Sequence, residues 1–353
     1  MSVREPDRAP SWQAVALELL RRRAGAEPQM TAAQLRDAGD RHLAALVRKR
    51  IDSLYFVACE IDHPRQRLYQ ALWDVQVREA RRILAAICEL GVEPVVIKGV
   101  EVGARYDRDQ AVGERADIDL LVGCNELWKV KKVLYGHGYM QGHYQRETRS
   151  WIPVEHLQQL RHETSGYELW PFRQAFAVTG LDAAAVDEAR RNPNFCVEDD
   201  AVVAFVKFDV HHNVLFDFEA MPLFERSIPG GLGVGRALCP ADHLWFSIVR
   251  YYFEVATGRK RALRGLAWIA PMVRDPDVAW SLLVRTAIEQ RATAPCWYWL
   301  TLFRQLGART VPDLVLHQLA AHHGDSHRNW GWQFERLLEL APAFPGPVLT
   351  AVG

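Results

Sequence analysis

The heptapeptide ADIDLLV at residues 116–122 restricts the architecture of this chain more than its overall make-up does. Ile118, Leu120 and Val122 fall on one parity, and Asp117 and Asp119 on the other. A period of two belongs to a strand, whose side chains point to opposite faces in turn. The segment is therefore read as a strand with one buried face, which requires a sheet and a layer to cover it. Both carboxylates lie on the other face, about 6.5–7 Å apart at their Cα atoms. Like charges so placed disfavour each other unless a cation lies between them. A divalent metal meets that need, and Mg²⁺ prefers a few carboxylates plus substrate phosphates to an all-protein cage.

The surroundings extend this chemistry. Val95-Val96-Ile97 is a short β-branched run, read as a buried strand, and it ends in Lys98-Gly99. Glycine lets backbone approach a phosphate, the following helix start offers N–H groups, and Lys98 adds a point charge. Val102–Tyr106 reads as the helical turn after that step. Arg115, just ahead of the aspartates, is placed to clamp another phosphate oxygen. A third acid is sought in AFVKFDVHHNV, where Lys207, Asp209 and His211 alternate with Val206, Phe208, Val210 and His212. On a strand beside the first, Asp209 would share a second metal ion or accept the proton of an attacking hydroxyl. His211 is the alternative proton acceptor.

Before residue 94 the pattern is helical. Trp12–Arg23 and Thr31–Cys59 are amphipathic, with Thr31 a candidate N-cap. Asp62 and Pro64 open a long helix whose Leu68, Leu72, Val75, Ile83, Leu84, Ile87 and Leu90 keep helical spacing until Gly91 stops it. Asn125–Tyr135 and Leu181–Arg191 read as helices, Tyr167–Phe172 and Ala201–Val210 as strands. Helical periodicity returns from Pro240, punctuated by Thr257-Gly258, Asp275-Pro276 and Val311-Pro312. The outline is a helical region over 1–91, an α/β core over 92–238 and a helical domain over 239–353.

Lys plus Arg and Asp plus Glu both total 43, so no global basic field gathers nucleic acid. The six cysteines, at 59, 88, 124, 196, 239 and 296, form no C-x-x-C pair and read as reduced thiols rather than a zinc site or disulfide framework. MSVREPDRAP lacks the apolar core of a signal peptide, and no run of about 18 apolar residues follows, so the expected setting is cytoplasmic.

The order I-K-G, then R-A-D-I-D-L-L-V, then a β-run ending D-V-H, resembles the uncharacterised bacterial branch of the polymerase-beta-like nucleotidyltransferase superfamily. There a Lys-Gly step replaces the more usual Gly-Ser. GVEPVVIKG, the G-H-G-Y after the first core helix, CPADHLWFSIVR, LRGLAWIA, DVAWSLLVRTA and QLGARTVPDLVL also have counterparts, so the resemblance spans about residues 10 to 320. It implies an α+β fold, a nucleotidyltransferase core with mixed sheet between helical flanks. It also implies an NTP co-substrate (ATP among the candidates) and two Mg²⁺ ions, with Mn²⁺ as a substitute. Asp117, Asp119 and Asp209 match the metal-binding acids, Lys98 and Gly99 the phosphate-binding step, and Arg115 the arginine before the pair. Many relatives carry an acid followed by Leu-His-Trp at the third strand. Here His212 stands in place of the aromatic, which leaves the proton acceptor open between Asp209 and His211.

The superfamily uses small molecules, peptides or proteins, and RNA ends as acceptors, and zero net charge favours the first two. An RNA-modifying nucleotidyltransferase toxin, which needs a basic aromatic-lined groove, is the enzymatic alternative. A catalytically silent nucleotide-binding scaffold is the non-enzymatic one. Neither the acceptor, the preferred NTP nor the oligomeric state is encoded legibly. The basic run Arg259–Arg264 reads first as a solvated helix start, with an anion contact as the second reading. The histidines of HHGDSH (322–327) match no zinc spacing.

Overall fold

The computed structural model describes residues 10–107, 113, 115, 117–145, 148, 150–199, 201–214, 220–259, 261–322, 334 and 337–339. The chain opens with helices α1 (Trp12–Arg23), α2 (Ala32–Arg48) and α3 (Asp52–Ala58). Ser11 caps α1 by accepting from the Ala14 N–H, and Thr31 forms a reciprocal capping box with Gln34 at the start of α2. The long α4 (Pro64–Glu89) begins with proline in its first turn and ends at Gly91, whose φ of +72° suits glycine.

Strand β1 (Val95–Ile97) leads into the short α5 (Lys98–Val102), and β2 (Ile118–Leu121) leads to α6 (Leu127–Gly136). The hairpin β3 (Met140–Gln145) and β4 (Ser150–Pro153), α7 (His156–Ser165), β5 (Phe172–Val178), α8 (Ala183–Arg190), β6 (Phe195–Glu198) and β7 (Ala201–His211) follow. After α9 (Met221–Glu225) and the two-residue strands β8 (Ile228–Pro229) and β9 (Arg236–Ala237), helices α10 (Pro240–Ala256), α11 (Arg264–Val273), α12 (Trp280–Glu289), α13 (Thr293–Gln305) and α14 (Asp313–His322) complete the described chain.

The sheet is mixed, in the order β4-β3-β5-β7-β2-β1-β9-β8. Its centre is β7, which runs antiparallel to β5 on one edge. The other edge pairs first with β6 (antiparallel, Glu198 opposite Ala201) and then with β2 (parallel, Ile118 opposite Phe208 and Asp119 opposite Asp209). The antiparallel β1 sets Ile97 opposite Asp119. One sheet face is apolar. Ile118, Leu120, Val122, Val206, Phe208 and Val210 pack there against Tyr69, Trp73, Ile83, Leu84 and Ile87 of α4 and against Val130 and Leu134 of α6. Truncating a side chain as buried as Phe208 costs about 3–5 kcal/mol.

The chain divides into two compact units, Asp62–Cys239 and Met1–Ile61 with Pro240–Gly353. A boundary at residue 91 would separate α4 from the sheet, yet the apolar stripe of α4 is the layer that covers it. Helical periodicity shows that a face is buried without showing what buries it. The strand expected over Tyr167–Phe172 begins only at Phe172. Pro171 has no N–H to give a ladder, and before it only Glu168 bridges to His211. No helix among the described residues is long and apolar enough to cross a membrane.

Candidate active site

The register of β2 on β7 builds the site. Asp119 and Asp209 are direct cross-strand partners, and Asp117 lies two residues before Asp119. All three carboxylates lie on the face opposite the apolar layer. Each offers an oxygen within 4.8 Å of the others'. Alternation puts Asp117 and Asp119 on one face, and the pairing of β2 with β7 brings in Asp209 from about ninety residues further along the chain.

Two lysines already neutralise much of this charge. Lys207, on the same face of β7, places Nζ 2.7 Å from Asp209 Oδ2 and 3.1 Å from Asp117 Oδ2. Lys98 places Nζ 2.5 Å from Asp119 Oδ1. Lys98 takes a φ of +59°, a left-handed conformation that is strained for a residue with a Cβ. The chain turns sharply there from β1 into α5, and the turn carries the lysine's head toward β2.

His211 completes the floor. It is 2% exposed, with Nε2 2.9 Å from Asp119 Oδ1 and Nδ1 3.2 Å from Glu168 Oε2. Lys98 Nζ lies 3.4 Å from the same Nε2, and Tyr167 stacks on the ring with centroids 5.9 Å apart. A neutral imidazole has one N–H and cannot donate to both carboxylates at once.

These surroundings move the acid strengths apart. Burial alone would raise Asp119, but Lys98 and His211 outweigh it and hold its carboxyl well below the usual range. Asp209 goes the other way. Burial, then repulsion from Asp117, push it up to about 7 despite Lys207. Burial disfavours the charged form of Lys207, yet Asp117 and Asp209 overcome that and raise it. His211 is lowered, by burial first and by Lys98 second, against the pull of Asp119 and Glu168.

The donor set suits a hard divalent cation, because it is all carboxylate oxygen from three residues. Asp209 Oδ1 adds a specific sign: it is buried and accepts no hydrogen bond from any described group. A buried oxygen left so is costly, and a cation between the carboxylates would satisfy it.

Arg115 is not part of this gathering. It is 2% exposed and turned inward, with Nη2 2.6 Å from Asp107 Oδ2 and Nε donating to the Gly99 carbonyl at 2.9 Å. Its guanidinium lies over the Trp73 ring, 4.3 Å from the centroid. It pins the Lys98-Gly99 turn from beneath, where a clamp on phosphate was expected. A charge beside a DxD reads alike whether it faces substrate or interior. Gly99 is buried at the start of α5.

Three neighbours escaped a site role on sequence. Lys207 shares the parity of Asp209 and His211, which was a usable signal. Glu168 and Tyr167 sit in an irregular segment and carry no spacing that points to His211. Of the basic run, Arg264 lies over Trp268, 4.6 Å from its centroid, as a helix-surface contact. Lys260 and residues 323–327 of HHGDSH lie outside the described residues.

A mixed sheet that brings three aspartates together from two parallel strands, beside a Lys-Gly turn at the end of a third, defines an α+β protein with a nucleotidyltransferase core. The model of an uncharacterised nucleotidyltransferase family matches residues 38–308, and the chain belongs to that family. No curated protein and no solved structure matches it.

Proposed function

We propose that the protein is a divalent-metal-dependent nucleotidyltransferase of the cytoplasm. It would transfer a nucleoside monophosphate from an NTP, ATP being the first candidate, to a hydroxyl or other nucleophile of a small molecule or peptide. The observation that carries this reading is the convergence of Asp117, Asp119 and Asp209, with Asp209 Oδ1 buried and without a hydrogen-bond partner among the described residues. Those three residues would hold Mg²⁺, or Mn²⁺ in its place. When bound, the metal supplies charge neutralisation for the attacking and leaving oxygens.

The chain's own groups divide the remaining work. Lys98, at the mouth of α5, offers a positive charge and the adjoining backbone N–H groups to the triphosphate. Asp209 is the better proton acceptor of the two candidates. Its Oδ1 accepts no hydrogen bond from any described group, whereas both nitrogens of His211 already face carboxylates. The acceptor O–H would give its proton to Asp209 as its oxygen bonds to the α-phosphorus. The bond from that phosphorus to the bridging oxygen breaks, and pyrophosphate leaves with the electron pair. His211, fixed by Glu168 and Tyr167, would orient Asp119.

The test is incubation with Mg²⁺ and each α-labelled NTP in a cell extract, using wild type and Asp117→Ala. Label passing to a small molecule or peptide only with wild type supports the reading. Label passing to RNA replaces the acceptor class. Titration showing that no NTP binds, or that binding ignores both metal and Asp117→Ala, refutes it.

A further inference from the structure

Lys207 holds two of the carboxylate oxygens that a metal ion at the three aspartates could use. Its ammonium lies 2.7 Å from Asp209 Oδ2 and 3.1 Å from Asp117 Oδ2, so it already bridges two of the three acids. Mg²⁺ binds carboxylate oxygens at about 2.0–2.1 Å, so an ion on those same oxygens would stand within a few ångströms of a lysine charge. The repulsion at that separation is only partly screened, because the Lys207 and Asp117 side chains are 22% and 31% exposed. A cation that takes those oxygens therefore weakens the lysine's hold on them.

We propose that Lys207 is an internal counter-ion which the incoming metal must displace, and that its freed ammonium is then taken up by the phosphates of the nucleotide. The inference rests on the metal-binding reading above and adds a condition to it. The side chain can make the move. Its backbone is fixed mid-strand between buried Val206 and Phe208, but the side chain is 22% exposed and its four-carbon stem rotates freely once the head lets go. Lys98 pairs instead with Asp119, beside His211.

Two consequences follow. Without nucleotide, metal binding must break both ion pairs of Lys207 and leave its ammonium with no anion, so the metal binds weakly. With nucleotide, the displaced ammonium meets phosphate oxygens and the loss is offset. Metal and nucleotide therefore bind cooperatively, and each strengthens the other by the same factor. Lys207 would keep the metal from settling in a site that has no substrate.

The experiment measures Mn²⁺ binding by calorimetry and electron paramagnetic resonance. It compares wild type with Lys207→Met, a neutral side chain of similar length, with and without a non-hydrolysable α,β-methylene NTP. In Lys207→Met the affinity for Mn²⁺ alone is expected to rise by about tenfold or more, and the enhancement by the analogue to fall toward onefold. Unchanged or weaker Mn²⁺ binding by a folded Lys207→Met, or unchanged enhancement, overturns the proposal while leaving the metal site standing. Absence of Mn²⁺ binding to either protein overturns both. A second readout needs no variant: acylation of Lys207 in the wild type, followed by peptide mass spectrometry. Mn²⁺ alone is expected to speed the reaction and the analogue to slow it again. A rate indifferent to Mn²⁺ overturns the proposal even if Lys207→Met does not fold.

Discussion

Arg115→Met separates two roles that the sequence leaves indistinguishable. Buried Arg115 makes an ion pair with Asp107, whose side chain is fully buried, donates to the Gly99 carbonyl and stacks on Trp73. Methionine would fill much of the space, but it would take from the buried Asp107 carboxylate its guanidinium partner. Removing one member of such a pair costs about 3–5 kcal/mol. In a unit the size of residues 62–239, each kcal/mol shifts the melting temperature by about 2–4 °C, so a drop of about 6–20 °C is expected. Calorimetry without nucleotide or metal reads it directly. Replacing both partners, Arg115→Met with Asp107→Leu, removes the buried charge as well and should recover most of the loss. A single variant that melts with the wild type yet no longer binds NTP would refute this reasoning. It would return Arg115 to the phosphate-clamping role.

Asp209 carries the clearest pH signature. Its folded carboxyl is raised to about 7, above the value of about 4 for an exposed aspartate, so its protonated form favours the fold. That contribution is complete below about pH 4 and is lost as pH rises through about 7. The melting temperature of metal-free wild type should fall across that window relative to Asp209→Asn, and parallel profiles would refute it. Lys98→Ala and Lys98→Gly should both weaken NTP binding. The glycine variant should be the more stable in denaturant titration, by about 1 kcal/mol, because φ of +59° strains only the residue with a Cβ. Glu168→Gln should lower the His211 pKa further, since Glu168 is one of the groups holding it up, and histidine NMR titration measures this.

The parity of side chains along two strands carried most of the site. Asp117, Asp119, Asp209 and His211 could be placed on one face because Ile118, Leu120, Phe208 and Val210 had to be on the other. Parity works because one face of the sheet is buried, and a slip of one residue would invert it. Arg115 shows where that logic stops. It precedes the strand proper, so its direction depends on Asp107 and Trp73, which lie at distances along the chain that no local rule reads. Glu168 escaped for a related reason: it reaches His211 through a single bridge in an otherwise irregular segment. The hairpin β3–β4 and helix α7 were also unforeseen. Gly142 makes the strand approach possible there, since a Cβ on it would meet the Ile152 carbonyl at 2.3 Å. The place of α4 was hidden differently, because a helix records its buried stripe but never its partner.

The division of the chain bears on how it is made. Asp62–Cys239 is one continuous stretch, whereas the other unit draws α1–α3 from before it and α10–α14 from after it. During synthesis from the N-terminus, the catalytic sheet can close while the chain is still being extended. The first three helices can pack on one another, but part of their surface waits for the later chain. The Leu263 N–H that donates to the Lys49 carbonyl, and the Ala267 carbonyl that receives Arg23, emerge only after the entire sheet has been translated. The unit that surrounds the other in sequence is therefore the last to gain its core. Until then α1, which packs against α11 in the finished unit, exposes apolar surface that it later buries.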